Sequence, residues 1–153
     1  MSSRSRHVRP QCLALVLCET VIEDVRTRNK SLIHLFSGIL GPAAPVRHDR
    51  MSVFAAFAGG RGDVPIWLRL CEDAAYETDL LRLGGDVRFP PDDPQAVVEI
   101  VWDIRGFQFP RFGRYSFEVV CDDVPLMARR FTVTEAPPLP AQPAPPDPQG
   151  GSD

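Results

Sequence analysis

The stretch from Phe107 to Cys121, FQFPRFGRYSFEVVC, constrains the fold of this chain more than any other. Pro110 fixes its own φ angle and keeps the preceding residue extended, and Gly113 adopts many backbone states freely. Apolar and polar residues then alternate, with one face formed by Tyr115, Phe117, Val119 and Cys121. A period of two with aromatic and β-branched residues is typical of a half-buried strand. The stretch therefore predicts a tight corner that leads into a core strand.

Tyr115 stands two residues after the end of the Pro110-x-x-Gly113 corner. Immunoglobulin-like sandwiches also carry a tyrosine near the corner that precedes their strand F. By this analogy we expect Tyr115 to be buried in the core, beside Trp102. Asp122 and Asp123, which follow the strand, predict a tight hairpin turn.

The rest of the chain repeats the strand pattern and predicts no long helix, although periodicity alone leaves a helix open for residues 31–39. Apolar or alternating runs occupy residues 12–18, 31–39, 51–58, 64–70, 96–104 and 124–134. Turn signals recur every ~8–12 residues, which is typical of a β-sandwich. The runs 12–18 and 51–58 are apolar on both faces, as central strands or strands covered on both sides are. The chain is therefore predicted to be all-β, an antiparallel β-sandwich of immunoglobulin or C2 type with about seven to nine strands.

Two local patterns predict strand connections. The runs 51–58 and 64–70 surround the glycine-rich loop 59–63 and predict a β-hairpin. Gly84 and Gly85 interrupt another run, and they predict either a short hairpin or a kinked edge strand.

Composition divides the 153 residues into three regions. Residues 1–10 are predicted to be a flexible basic arm, residues 11–135 the β-sandwich domain, and residues 136–153 a disordered proline-rich tail. The Pro-x-x-Pro spacings of the tail leave open a docking peptide beside a passive spacer. The formal net charge of −3 implies no general attraction to nucleic acid.

The cysteines and the apolar runs indicate a cytoplasmic protein. Each of the four cysteines lies in an apolar run and none forms a C-x-x-C pair, so buried free thiols are expected. Cys12 and Cys18 are predicted to share one strand face, and a disulfide between Cys18 and Cys121 remains an alternative. No run approaches the ~18 apolar residues of a membrane span, and the run 12–18 lacks the features of a secretory signal.

No catalytic, cofactor-binding or metal-ligating set is predicted. His34 lies in an apolar strand and is expected to be a hydrogen-bonded core residue, whereas His48 is placed in a charged loop. Neither a nucleophile elbow nor metal spacing accompanies the histidines. Acidic residues in predicted loops, among them Glu72, Asp79 and Asp123, leave a calcium site open as an alternative.

One surface is a candidate for binding. Trp67 and Arg69 share the outward face of the run 64–70, and an outward tryptophan either binds a partner or is covered by a loop. Arg61 and Asp63 lie in the preceding loop. With Gly62 they spell an integrin-binding tripeptide, which we attribute to chance in a protein expected to be intracellular.

Three segments carry a resemblance to a known family. They are LCETVIEDVRTRNKSLIHLFSGI, RMSVFAAFAGGRGDVPIWLRL, and RGFQFPRFGRYSFEVVCDD with RRFTV. Together they resemble a family of small bacterial single-domain proteins of unknown function, over most of residues 12–134. The resemblance implies a β-sandwich-like domain and carries over no activity and no site residues.

Three functions follow as hypotheses. The leading one is a non-enzymatic interaction or assembly module that binds a protein or itself, with no nucleic-acid or membrane partner. The alternative is a sandwich that binds a small ligand or carbohydrate, which requires a concave face with an exposed aromatic residue and nearby carboxylates. A hydrolase or metal-dependent enzyme is less favoured, since it requires His34 or His48 to meet a carboxylate in one cleft.

Overall fold

A computed structural model describes residues 7–138 and 140–146 of the chain. It contains nine strands: β1 Gln11–Glu23, β2 Lys30–Leu35, β3 Gly38–Gly41, β4 Val46–Ala58, β5 Gly62–Glu72, β6 Leu81–Phe89, β7 Val98–Phe109, β8 Gly113–Cys121 and β9 Val124–Glu135. Within those residues the only helical element is a single 3-10 turn, Asp73–Ala75. The strands form a four-stranded sheet in the order β2-β1-β4-β7 and a five-stranded sheet in the order β3-β9-β8-β5-β6.

The two sheets pack through their inward side chains and confirm the predicted β-sandwich. The largest fully buried side chains are aromatic residues contributed by both sheets, namely Tyr115, Phe57, Phe89, Phe109 and Phe117. Phe131 of β9 stacks on both Tyr115 and Phe117, with ring centroids 5.8 and 5.4 Å apart. Such aromatic pairs add stabilisation beyond the area they bury.

The corner before β8 forms as its sequence predicts. The Tyr115 hydroxyl donates to the Arg111 carbonyl at 2.6 Å and accepts from the Arg111 amide at 3.2 Å. This return of a buried tyrosine to the backbone a few residues upstream is the tyrosine corner of immunoglobulin-like domains. The Arg111 side chain also donates two hydrogen bonds to the buried Glu72 carboxylate, which fastens the corner to β5.

The hairpin predicted between residues 51–58 and 64–70 is wrong. β4 pairs with β1 and β7, whereas β5 pairs with β6 and β8, so the two strands belong to different sheets. The connecting loop crosses the sandwich, and a Cβ atom at Gly60 would lie 2.7 Å from the Phe89 ring. The glycines do form a connection between β4 and β5. A turn in the sequence, however, does not determine whether the two strands pair in one sheet or lie in opposite sheets.

The run 31–39 is not one strand. It ends as β2 at Leu35 and resumes as β3 at Gly38, and β3 joins the other sheet, where it runs parallel to β9. The break follows His34, whose φ angle of 53° is in the left-handed region. The sandwich is therefore antiparallel in every pairing of the described strands except β3 with β9.

The tip of the β1–β2 hairpin reaches back to β7, at the far edge of the four-stranded sheet. Lys30 Nζ lies 3.5 Å from Glu99 Oε1, although β1 and β4 separate their strands in the sheet order. Along the strand direction Lys30 is level with the end of β1 and Glu99 is level with its start. In a flat sheet, with a rise of ~3.3 Å per residue, the two residues would therefore be roughly 30 Å apart. The β1–β2 hairpin must therefore curl so that its tip approaches β7.

All four cysteines are buried free thiols, as predicted, which excludes the Cys18–Cys121 disulfide. The prediction that Cys12 and Cys18 share a face is wrong. A bulge between Cys12 and Ala14 shifts the alternation, so Cys12 joins the core and Cys18 lies on the outer face, opposite Ser52. A single extra residue reverses the facing of everything after it.

Gly84 and Gly85 lie within one continuous edge strand, β6, which confirms the kinked-strand alternative. Gly84 has a φ angle of 144°, and a Cβ atom there would clash with the Ile66 carbonyl oxygen. Asp122 and Asp123, with φ angles of 51° and 60°, form the predicted two-residue turn, since hairpin turns of type I′ need positive φ at both positions.

The terminal regions are described in part. Val8 of the predicted arm exchanges two backbone hydrogen bonds with Arg61, while residues 1–6 lie outside the described residues. Of the predicted disordered tail, residues 136–138 and 140–146 have no regular secondary structure, and residues 139 and 147–153 lie outside the described part. Its disorder stays a prediction. In the described residues there is no helix long and apolar enough to cross a membrane.

Candidate functional site

The two sheets end on the same side of the sandwich, and a groove lies between their edge strands. β6 is the last strand of one sheet and β7 the last strand of the other. The groove has a volume of about 520 Å³. Its lining comes from the two edge strands and one core residue: Ile66, Leu83, Gly84, Gly85, Asp86, Val87, Ile100, Val101, Trp102 and Asp103. This volume falls in the range of ligand-binding clefts.

The groove is open where β6 lacks a side chain on its inward face. Gly85 lies on the inward face of β6, and a Cβ atom there would meet nothing within 4 Å. Leu83 and Val87 border this gap and are only half-buried. The inward face of β6 therefore leaves apolar side chains accessible at the edge of the core.

Trp102 forms the opposite wall. It was predicted to be a core residue, and it does lie on the inward face of β7, but it is only half-buried and lines the groove. The alternation in the sequence indicated the face correctly. It could not indicate that β7 is an edge strand, and so Trp102 was missed as a surface residue.

The backbone of β6 also has groups that face away from its sheet. Asp86 is paired with Pro65, which has no N–H group. In an antiparallel ladder the residue pairs alternate between hydrogen-bonded and non-hydrogen-bonded. We infer that Pro65 and Asp86 form a non-hydrogen-bonded pair, so the N–H and C=O groups of Arg82, Gly84 and Asp86 point to the open edge.

The predicted surface around Trp67 is a different region, on the outer face of the five-stranded sheet. Arg69 donates to the Asp79 carboxylate at 2.6 Å, to Glu118 at 3.2 Å and to the Tyr76 carbonyl. Tyr76 in turn donates to Glu118 at 2.6 Å. Burial alone would lower the pKa of Arg69, but the hydrogen bonds that Arg69 donates to Asp79 and Glu118 outweigh burial and raise that pKa. Arg69 is therefore held as a structural cation.

Trp67 is covered rather than free. The Arg82 guanidinium lies over its indole ring, 4.8 Å from the centroid, and both residues line a cavity of about 220 Å³. Asp63 shares the outer face of β5 but lies near the start of the strand, and Arg61 precedes the strand and pairs with Val8. The structure thus brings Trp67 and Arg69 together and leaves Arg61 and Asp63 apart from them.

Comparison with known proteins places this chain in a family. The model of DUF6941, a family of unknown function, matches residues 13–134. The chain belongs to the DUF6941 family. Among curated proteins no sequence matches this DUF6941 chain. It is also similar to the crystal structure of an immunoglobulin-like protein from Pseudomonas aeruginosa, with 13% sequence identity, a TM-score of 0.42, and coverage of 83% of this chain and 98% of that one.

The histidines of this DUF6941 domain lie where the sequence did not predict them. His34 is not in the core: its side chain is 75% exposed, and Nδ1 lies 2.6 Å from Glu19 Oε2. His48 is not in a loop but in β4. The centroid of its ring lies 5.6 Å from that of Phe36, and its Nε2 atom is buried with no hydrogen-bond partner among the described residues. The left-handed turn at His34 directs it outward, which no periodicity indicates.

Glu19 and His48 line one cavity of about 280 Å³ with Phe36, Arg47, Asp49 and Arg50. A histidine and a carboxylate therefore do meet in one cleft of the DUF6941 domain. That lining contains no hydroxyl or thiol side chain that could act as a nucleophile. Among the described residues no three His, Cys, Asp or Glu side chains are grouped to hold a metal ion, and Glu72 and Asp79 are bound by Arg111 and Arg69.

Proposed function

We propose that this chain is a non-enzymatic interaction module that binds a protein partner by adding an extended strand to its open β6–β7 edge. One observation carries the proposal: two edge strands, each paired on one side only among the described strands, flank a largely apolar groove on the same side of the sandwich. Strand addition draws affinity from backbone hydrogen bonds and specificity from pockets for alternate side chains. The outward backbone groups of β6 and the gap at Gly85 would supply these two elements.

The test uses a substitution that fills the groove without straining the fold. Gly85→Phe adds a side chain where a Cβ atom meets nothing within 4 Å. Ala128→Phe is the matched control, because Ala128 is exposed on β9, away from this edge. Partners isolated with the full chain are purified and titrated against each variant. Gly85→Phe should abolish binding and Ala128→Phe should preserve it, and equal binding by both variants would contradict the proposal.

A second candidate, carbohydrate or small-ligand binding, is favoured by the composition of the same groove. The half-buried Trp102 shares its lining with Asp86 and Asp103. An exposed aromatic ring with nearby carboxylates is the feature expected of a sugar-binding sandwich. NMR titration of the Trp102 indole signal with a set of glycans would test it, and an unmoved indole resonance with every glycan would exclude this function.

We further propose that the protein is cytoplasmic. Its four cysteines are free thiols, and thiols stay reduced in that compartment.

A further inference from the structure

We propose that one occupant of the open edge is a second copy of this chain, whose β6 pairs with β6 antiparallel about a two-fold axis at Gly84. This inference rests on the proposed function and names the partner. The two five-stranded sheets would then join into one continuous sheet across the dimer.

The charges on the outward face of β6 are complementary to themselves. Arg82 and Asp86 are both exposed on that face, equally spaced on either side of Gly84. In an antiparallel pair centred on Gly84, Arg82 of each copy lies directly opposite Asp86 of the other copy. An isologous interface repeats every contact, so this pairing occurs twice. Opposite charges at directly opposed positions stabilise strand pairs.

Each charge is available for the contact. Arg82 lies over the Trp67 ring and keeps 49% of its side chain exposed, with its nearest carboxylate, Asp79, at 3.8 Å. Asp86 is opposite Pro65, and no described residue makes a hydrogen bond or ion pair with its carboxylate. The Arg82 guanidinium is thus held in position, and the Asp86 carboxylate is left for a partner.

The inward side chains fit the same register. Leu81 would lie opposite Val87 of the other copy, and Leu83 opposite Gly85. These apolar residues are half-buried in the single chain and would be covered in the dimer. The outward backbone groups inferred for Arg82, Gly84 and Asp86 are the groups that would form hydrogen bonds in this register.

Neighbouring registers are less favourable. An axis at Gly85 places Arg82 opposite Arg88, which sets like charges against each other twice. An axis at Val87 pairs Asp86 with Arg88, but it overlaps only a short segment before Pro90 and Pro91, which cannot continue the ladder. Only the register at Gly84 combines opposite charges with the full length of the strand.

Charge substitutions of the full chain test this register. Sedimentation velocity should show a dimer for the unchanged protein. Arg82→Asp and Asp86→Arg should each raise the dimer Kd by about tenfold or more, because each creates two like-charge pairs. Mixing the two variants should restore dimers as heterodimers, since both contacts are then complementary. Arg88→Asp should leave the dimer unchanged.

Each outcome has a defined meaning. Arg82 also contacts Trp67. If Arg82→Asp folds poorly, Asp86→Arg is the deciding variant, because the Asp86 carboxylate makes no hydrogen bond or ion pair with a described residue. A monomer at millimolar concentration, a dimer insensitive to Asp86→Arg, or a dimer lost in Arg88→Asp would overturn the inference. A monomer would still leave the β6 edge open to another protein, and the titration of an isolated partner against Gly85→Phe and Ala128→Phe measures that binding.

Discussion

The corner around Tyr115 and the edge formed by β6 and β7 each contain an aromatic residue and a carboxylate, but in opposite environments. At the corner an aromatic side chain is fully buried, its hydroxyl is paired with the backbone, and a carboxylate is held by an arginine. At the edge an aromatic side chain is half-exposed and a carboxylate has no ion-pair partner among the described residues. Polar groups are therefore satisfied at the corner and left open at the edge, which is where the proposed binding would take place.

The largest expected effect removes the corner residue. Tyr115→Ala should lower the free energy of unfolding by ~3–5 kcal/mol, because a fully buried aromatic ring and its neighbours' contacts are lost. Denaturant melts measure the change. A loss below ~1 kcal/mol would show that the corner is not the stabilising region.

Adjacent glycines of the edge strand should respond differently. Gly84→Ala should cost about 1–3 kcal/mol, because its φ angle of 144° and the Ile66 carbonyl oxygen leave no room for a side chain. Gly85→Ala should change stability by no more than about 0.5 kcal/mol, since its Cβ would lie in open space. Thermal melts of the two variants form a matched pair, and equal losses would contradict the geometry of the groove.

A smaller change isolates the hydrogen bonds of the corner. Tyr115→Phe keeps the ring and removes only the hydroxyl that contacts the Arg111 amide and carbonyl. We expect a loss of about 1 kcal/mol, the usual net value of such bonds. If Tyr115→Phe were as destabilising as Tyr115→Ala, the hydroxyl rather than the ring would be the main source of stability.

The smallest expected signal is the reactivity of the native thiols. Burial raises the pKa of Cys12, Cys18, Cys71 and Cys121. A thiol with a raised pKa keeps its proton at a pH where a free thiol has begun to lose it, and the thiolate is the reactive form. Ellman's reagent at pH 8 should therefore label the native chain far more slowly than the denatured chain.

The same measurement separates the two regions. β6 and β7 contain no cysteine, so Asp86→Arg should leave the native labelling rate unchanged even where it separates a dimer. Rapid labelling in that variant would mean that the edge and the core open together.

The sequence determined which side chains face inward along most strands, through its period of two. It also determined the Tyr115 corner and the turn at Asp122. All of these depend only on residues that are neighbours in the chain. Tertiary structure decided strand partners and strand position. The connection from β4 to β5 crosses between the sheets, the bulge after Cys12 reverses the facing of Cys18, and Trp102 lies on an edge strand. Each of these depends on contacts far apart in the chain, which local alternation does not contain. The groove between β6 and β7 has the same origin, although the paired glycines in an apolar run were its one visible sign.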